Sequence, residues 1–127
     1  MNATLTEFIV DYGDQRLYCA GALAAAYEAL GGTTLYFGKP HPPIYDLARR
    51  RLSALLPGQD PAILCIGDGI DTDIQGGQSE DLDTLFVTGG ISANEFGPDV
   101  ANPDPVLLDK WLRTNARSPT LAIGHLR

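Results

Sequence analysis

Sulfur and imidazole are scarce in this sequence. It has 2 cysteines and 2 histidines in 127 residues. Cys19 and Cys65 lie too far apart to form a CxxC pair, so nothing indicates a zinc site or a dithiol redox motif. His41 lies in a proline-rich loop and His125 near the C-terminus, and neither belongs to a recognisable serine or cysteine nucleophile motif. We interpret both as surface histidines.

Positive charge and long apolar runs are also lacking. Lys and Arg number 9 against 16 Asp and Glu, which gives a net charge of -7. Because phosphate backbones and anionic membranes are bound by clustered basic side chains, we expect no nucleic-acid or membrane partner. The basic cluster Arg49, Arg50 and Arg51 is interpreted as the solvated face of a helix. With no signal peptide and no apolar run long enough to span a bilayer, the expected compartment is the cytoplasm.

What the sequence does contain is typical of one globular α/β domain, with 44% hydrophobic and 20% charged residues. Residues 8–10 and 16–18 predict a hairpin around a turn at Gly13, and residues 20–30 predict a helix that ends at Gly31 and Gly32. We therefore divide the chain into an N-terminal hairpin, residues 1–19, and a core domain, residues 20–127.

Strands and helices alternate through the rest of the chain. The β-branched and aromatic residues 33–37 predict a strand, and the apolar run 62–66 predicts a strand buried on both faces. Strands are also predicted over 84–88 and 121–123. One helix is predicted from Pro43, and a second with Asp104 as N-cap and Pro105 in its first turn. The first helix has an apolar stripe of Ile44, Leu47, Ala48, Leu52, Leu55 and Leu56, and the second has one of Leu108, Trp111 and Leu112. This alternation indicates a mostly parallel sheet, whose ligands bind beyond the carboxyl ends of the strands.

Three aspartates crowd into the loop after the 62–66 strand. Asp68, Asp71 and Asp73 would repel one another without a cation or a helix N-terminus. Oxygen ligands at a strand end favour Mg²⁺, which takes one or two protein carboxylates. A calcium EF-hand starting at Asp71 is the competitor, but its twelfth position is Leu82 instead of Glu. An N-cap with turn-forming aspartates remains a further alternative.

Lys39 follows the predicted 33–37 strand in the rigid loop Gly38-Lys39-Pro40. By itself it is a turn lysine that water solvates. Next to an aspartate cluster at a neighbouring strand end, however, it would complete a site for phosphate and metal, acting as a point charge on oxygen atoms.

The order of these segments resembles the third and fourth motifs of the haloacid-dehalogenase-like hydrolases. Gly38-Lys39-Pro40 is followed by a helix and by the strand Ile63-Leu64-Cys65-Ile66, which runs into Gly67-Asp68-Gly69-Ile70-Asp71-Thr72-Asp73-Ile74-Gln75-Gly76. The nearest subfamily contains the p-nitrophenyl-phosphatase-like enzymes, whose cap is inserted between the second and third motifs. The resemblance runs from about residue 11 to the C-terminus. It implies the C-terminal part of a Rossmann-like three-layer core.

The resemblance also implies chemistry. In that family an aspartate nucleophile forms a phosphoaspartyl intermediate, with Mg²⁺ neutralising charge. Lys39 would pair with the nucleophile and the phosphate, and Asp68 would bind the metal directly. Asp73 would orient a metal-bound water or Lys39, and Asp71 would cap a helix.

The family's first motif, an apolar strand followed by Asp-x-Asp, is not found here. One segment resembles this motif locally, Phe8-Ile9-Val10-Asp11-Tyr12-Gly13-Asp14, but it has Gly13 where the second aspartate belongs. The second motif and most of the cap are also missing, so the 62–66 strand should present an unpaired apolar edge. We expect a marginally stable chain, inactive alone, that is either one half of a split phosphatase for phosphorylated small molecules or a non-catalytic Mg²⁺-binding or interaction module. The partner would be a complementing half-chain or, in a homo-oligomer, a second copy.

Overall fold

The computed structural model describes residues 20–126 and the backbone of residues 9–12 and 15–18. The chain forms two compact units, Met1–Tyr36 and Phe37–Arg127. The boundary predicted after Cys19 stays a prediction. None of the described helices has the length and apolar character that crossing a bilayer requires.

The first unit contains a hairpin and a helix. Strand β1 (Ile9–Tyr12) pairs antiparallel with β2 (Gln15–Tyr18), which confirms the predicted hairpin. Phe8 and the predicted turn residues lie outside the described residues. Helix α1 (Ala20–Ala29) ends at the predicted stop, where Gly31 takes a φ of 88° and the Gly32 amide donates to the Tyr27 carbonyl at 3.0 Å.

The segment after α1 differs from the prediction. Residues 32–37 form neither a helix nor a strand, so the strand predicted over 33–37 is wrong. A strand exists by hydrogen bonding to a neighbour, and none of the described strands pairs with this segment. Its β-branched and aromatic composition favoured an extended backbone but could not supply the neighbour.

The second unit is built on a three-stranded parallel sheet in the order β3-β4-β5, where Cys65 lies opposite Thr84 and Phe86 opposite Ala122. This confirms the α/β class with a parallel sheet. Its elements in chain order are α2 (Pro42–Leu55), β3 (Leu64–Gly67), a π-helical turn (Ile70–Ile74), α3 (Gln75–Ser79), β4 (Asp83–Val87), a 3₁₀ turn (Ala93–Phe96), α4 (Pro105–Thr114) and β5 (Leu121–Ile123).

Helix α2 begins near the predicted position but buries a different side. Tyr45 is its buried residue, whereas Ile44 and Leu47 from the predicted stripe are 36% and 41% exposed. Arg49 is not simply solvated, because its Nη1 lies 2.5 Å from Glu80 Oε2 at the end of α3. The helix therefore contacts α3 through Tyr45 and Arg49, and its apolar stripe is left largely open.

Helix α4 follows the prediction closely. Asp104 is its N-cap and accepts hydrogen bonds from the amides of Val106 at 2.8 Å and Leu107 at 3.0 Å. Leu108, Trp111 and Leu112 pack, as predicted, against the buried residues Ile70, Ile74, Phe86 and Phe96. The Trp111 ring stacks on Phe86 with centroids 5.7 Å apart and meets Phe96 edge-on at 5.2 Å. This cluster fixes the π-helical turn between the sheet and α4.

The opposite face and one edge of the sheet are less covered. Leu64 and Ile66 on β3 are 46% and 48% exposed, so the prediction of a strand buried on both faces is wrong. Strand β3 is an edge strand in the described part of the chain, as the missing first motif predicted. The strand register places six aliphatic side chains on this face: Leu64, Ile66, Leu85, Val87, Leu121 and Ile123.

Candidate functional site

The polar residues singled out in the sequence gather beyond the carboxyl end of β3. Asp68 follows the last residue of β3, and its Oδ2 accepts a hydrogen bond from the Ile91 amide at 3.0 Å. Ile91 lies in the loop after β4, so the ends of both strands hold this carboxylate. A Cβ atom at Gly90 would overlap the Asp68 side chain, which means that Gly90 provides the space for it.

Asp73 is the second carboxylate at this strand end. It lies in the π-helical turn, and its Oδ2 accepts a hydrogen bond from the Gly69 amide at 3.1 Å. Lys39 Nζ donates to Asp73 Oδ1. A Cβ atom at Gly67 would overlap the Asp73 carboxyl group, so the last residue of β3 must be small. The structure therefore brings Lys39 to residues 68–73, the acidic loop, although 34 residues separate it from Asp73.

The loop that carries Lys39 is fixed from both sides. Its turn is closed by the His41 amide, which donates to the Gly38 carbonyl at 3.0 Å. Pro40 is buried, and its Cα lies 3.1 Å from the position of a Cβ on Gly76. The Lys39 side chain itself is 52% exposed while its partner Asp73 is 12% exposed. The ammonium group thus faces solvent from a firmly held backbone.

Asp71 behaves differently from the prediction. It does not cap a helix, because Gly69 is the N-cap of the π-helical turn and Asp71 lies inside that turn. Its Oδ1 instead accepts a hydrogen bond from Arg117 Nη2 at 3.1 Å. The same nitrogen lies 2.5 Å from Gln75 Oε1. Arg117 belongs to the segment between α4 and β5, which the sequence did not connect with this loop.

The three aspartates differ in whether a cationic side chain is paired with them. Asp73 is paired with Lys39 and Asp71 with Arg117, which leaves Asp68 without a cationic partner in the described residues. Its Oδ1 has no hydrogen bond there, whereas its Oδ2 is held by Ile91. One carboxylate oxygen is thus available at the end of a parallel strand.

This arrangement fits part of a magnesium site. Mg²⁺ needs one or two protein carboxylates and fills its other positions with water and phosphate oxygens, so Asp68 alone meets the minimum. Within residues 20–126, no three His, Cys, Asp or Glu side chains converge to hold a metal. The competing calcium loop is not favoured, because Asp71, Asp73 and Gln75 are engaged by Arg117 and Lys39.

An uncharged layer lies behind the acidic loop. Burial raises the pKa of the Tyr45 hydroxyl, and the negative charges that Cys65 carries when ionised and that Asp73 carries raise this pKa further. Burial also raises the pKa of the Cys65 thiol, and the charge of Asp73 adds to this effect. Both groups stay protonated near neutral pH, so the negative charge at this edge is confined to the carboxylates.

Comparison with known proteins agrees with the predicted family. The family model described as HAD-hydrolase-like, for haloacid-dehalogenase-like hydrolases, matches residues 36–112, which is more than half of the chain. The chain belongs to this family. A haloacid-dehalogenase-like hydrolase from Brucella suis 1330 is 34% identical over 94% of this chain and 41% of its own, with a TM-score of 0.65.

Two further solved structures are similar. A glycerol phosphate phosphatase from Mycobacterium tuberculosis, solved in complex with magnesium, is 28% identical over 91% of this chain and 30% of its own, with a TM-score of 0.59. A p-nitrophenyl phosphatase from Archaeoglobus fulgidus shares the fold at 22% identity, covering 91% of this chain and 39% of its own, with a TM-score of 0.63. No curated protein matches the chain. The chain spans about two fifths of the Brucella hydrolase and less of the mycobacterial one.

Membership of the haloacid-dehalogenase-like family does not by itself assign roles to Lys39, Asp68 and Asp73, and these remain predictions. The structure adds supporting groups that the sequence did not reveal: the Ile91 amide, Gly67, Gly90 and Arg117. Gly89 and Gly90 directly follow the predicted strand 84–88, and two glycines at a strand end were the available signal for a close approach of the backbone. Nothing in the spacing of Arg117 linked it to Asp71, because the contact spans 46 residues.

Proposed function

We propose that Lys39, Asp68 and Asp73 form one part of a Mg²⁺-dependent phosphomonoesterase site, which a segment outside this chain completes. The observation that carries the proposal is the edge of β3 directly beside Asp68, with which none of the described strands pairs. The family and the phosphatases among its similar structures support hydrolysis of a phosphate ester. The cytoplasmic location stays a prediction.

Each residue has a role that its contacts support. Asp68 would hold Mg²⁺ through its free Oδ1, while the Ile91 amide keeps the carboxylate oriented. Lys39 would attract phosphate oxygens, and its pairing with Asp73 keeps its ammonium group at the strand end. Mg²⁺, once bound, supplies positive charge to the phosphate oxygens. What this sequence does not contain is the family's first motif, an apolar strand followed directly by Asp-x-Asp, which would supply the aspartate nucleophile.

The completing segment must also cover apolar surface. Leu64 and Ile66 are half exposed on β3, and the edge of that strand has backbone groups that a further strand could pair with. Phe37, Ile44 and Leu47 line an open cavity of about 350 Å³ beside α2. A polypeptide that adds a strand to β3 and an apolar face to this region would stabilise the chain and complete the site.

The test is complementation. The part of the Brucella suis hydrolase outside its matched 41% would be mixed with this chain, and hydrolysis of p-nitrophenyl phosphate measured with and without Mg²⁺. We expect activity in the mixture only, and its loss in Asp68→Asn and Lys39→Met. Lys110→Met, which changes an exposed residue of α4 outside the cavity beside α2, is the control that should keep activity. A mixture no more active than either half alone would refute the split-enzyme proposal.

The exposed edge of β3 also favours a second candidate, a non-catalytic module in which two copies pair through that edge. Sedimentation, which reports the oligomeric state, distinguishes the two candidate functions. A dimer of defined size that stays inactive in every mixture would favour the module, while a monomer would exclude self-pairing. A charged substitution on the edge, Ile66→Lys, should dissociate the dimer, and Arg51→Lys on α2 should not.

A further inference from the structure

Arg117 binds one side chain of the π-helical turn and one side chain of α3. Its Nη2 reaches Asp71 Oδ1 at 3.1 Å and Gln75 Oε1 at 2.5 Å, on either side of Asp73. Its Nη1 donates to the carbonyls of Asn115 and Ala116, both at 3.3 Å. One guanidinium group therefore ties the π-helical turn to the end of α4.

The position of Arg117 is itself fixed by the backbone. Its amide donates to the Leu112 carbonyl at 3.0 Å, and the Ala116 amide donates to the Arg113 carbonyl at 3.1 Å. These two bonds form a Schellman ending of α4, with Ala116 at a φ of 52°. The helix end thus directs the guanidinium group toward the loop.

The environment of the pair is partly buried. Arg117 and Asp71 side chains are 21% and 19% exposed, and Arg117 Nε is buried without a hydrogen-bond partner in the described part of the chain. An orphaned donor of this kind costs stability, so packing alone does not account for an arginine here. A role in holding the loop does account for it.

We propose that Arg117 is a positioning residue for the acidic loop, a role that rests on the function proposed above. A π-helical turn is rare, and this one carries two carboxylates in its first turn. Without Arg117, the hydrogen bonds that tie Asp71 and Gln75 to the end of α4 are lost, so the turn opens and Asp73 loses its bonds to Gly69 and Lys39. Arg117 in this way sets the positions of Lys39 and Asp73 without touching substrate or metal.

The test separates positioning from stability. Arg117→Met alone leaves Asp71 unpaired and is expected to unfold part of the chain, so the main variant is Arg117→Met combined with Asp71→Met. Replacing both partners of a partly buried pair with apolar side chains is often neutral for stability. Arg113→Met, which breaks the exposed pair of Arg113 with Asp109 at 2.9 Å on the same helix, is the control.

The measurements are amide hydrogen exchange at Gly69 and Asp73, read by NMR, and the Mg²⁺ affinity from the same spectra. In the double variant we expect exchange about tenfold faster at these amides and Mg²⁺ affinity about tenfold weaker, with exchange in α4 unchanged. Arg113→Met should match wild type in both. Exchange at Gly69 and Asp73 that equals wild type in the folded double variant overturns the proposal. If wild type binds no Mg²⁺, the proposed function fails, while the exchange rates still decide the role of Arg117.

Discussion

Substitution of Gly90 by alanine tests whether the Asp68 carboxylate is held where the structure places it. An added Cβ would overlap the Asp68 side chain, so either the carboxylate turns away or the loop after β4 shifts. Both responses break the 3.0 Å bond from the Ile91 amide to Asp68 Oδ2. Losing a hydrogen bond to a charged group costs about 1.5 to 3 kcal/mol. Gly90→Ala should therefore lower the free energy of unfolding by an amount in that range.

The same variant should weaken Mg²⁺ binding. Loss of a group that orients a metal ligand lowers affinity by about tenfold to a hundredfold. At a Mg²⁺ concentration about 100 times the wild-type Kd, binding adds about 2.7 kcal/mol to the free energy of unfolding, and a tenfold loss of affinity leaves about 1.4 kcal/mol. For a chain of this size that difference is about 5 °C in the Mg²⁺-induced rise of Tm.

Thermal unfolding with and without Mg²⁺ is the assay, and Gly38→Ala is the matched control. Gly38 lies beside Lys39, but a Cβ there would meet no atom within 4 Å, so this variant should behave as wild type. If Gly90→Ala matches wild type in Tm and in its response to Mg²⁺, the assigned position of Asp68 is wrong. If Gly38→Ala is also impaired, any side chain near the site is disruptive and the argument from overlap fails.

Two further predictions concern the end of α4 and the thiol of β3. Ala116→Gly should raise the free energy of unfolding by about 0.5 to 1 kcal/mol, because glycine adopts the φ of 52° without steric cost. The same exchange inside α2, Ala48→Gly, should lower it by about 1 kcal/mol, and a fall in both would contradict the strain argument. In a Cys19→Ser background, the raised pKa of Cys65 should move the pH midpoint of its alkylation rate above that of the urea-unfolded chain. Because the pKa of Cys65 is higher in the folded chain than in the unfolded chain, the protonated thiol contributes stability below about pH 8.5, and this contribution is lost as the pH rises further. Equal pH midpoints in the folded and unfolded chains would exclude a raised pKa of Cys65.

The sequence predicted those elements whose signals are local. The N-cap at Asp104, the packing face of α4 and the parallel strands depend on neighbouring residues and on side-chain period, and these predictions are confirmed. The strand over 33–37 was wrong, because a strand needs a hydrogen-bonding neighbour that composition cannot reveal. The double burial of β3 was wrong for the same reason, since its apolar residues were read without the layers that would cover them.

The same difference between local signals and contacts of distant segments applies to the candidate site. The order and spacing of two motifs singled out Lys39, Asp68 and Asp73, whose roles stay predictions. The contacts that distribute their charge were not evident from the sequence, because they join distant segments: 34 residues separate Lys39 from Asp73, and 46 separate Asp71 from Arg117. The role assigned to Asp71 was wrong because an aspartate near a helix start has the composition of a cap whatever its partner turns out to be.

The open edge and the incomplete site lie on the same strand. Asp68 follows β3 directly, and β3 has an unpaired edge in the described part of the chain. Parallel strands end at the same side of a sheet, so any strand that adds in parallel to β3 ends beside Asp68. One added strand would then both cover Leu64 and Ile66 and place a new group next to the free carboxylate oxygen of Asp68. A partner that raises the Tm of this chain by pairing in this orientation should therefore also change its Mg²⁺ affinity, whereas an antiparallel partner should raise Tm alone.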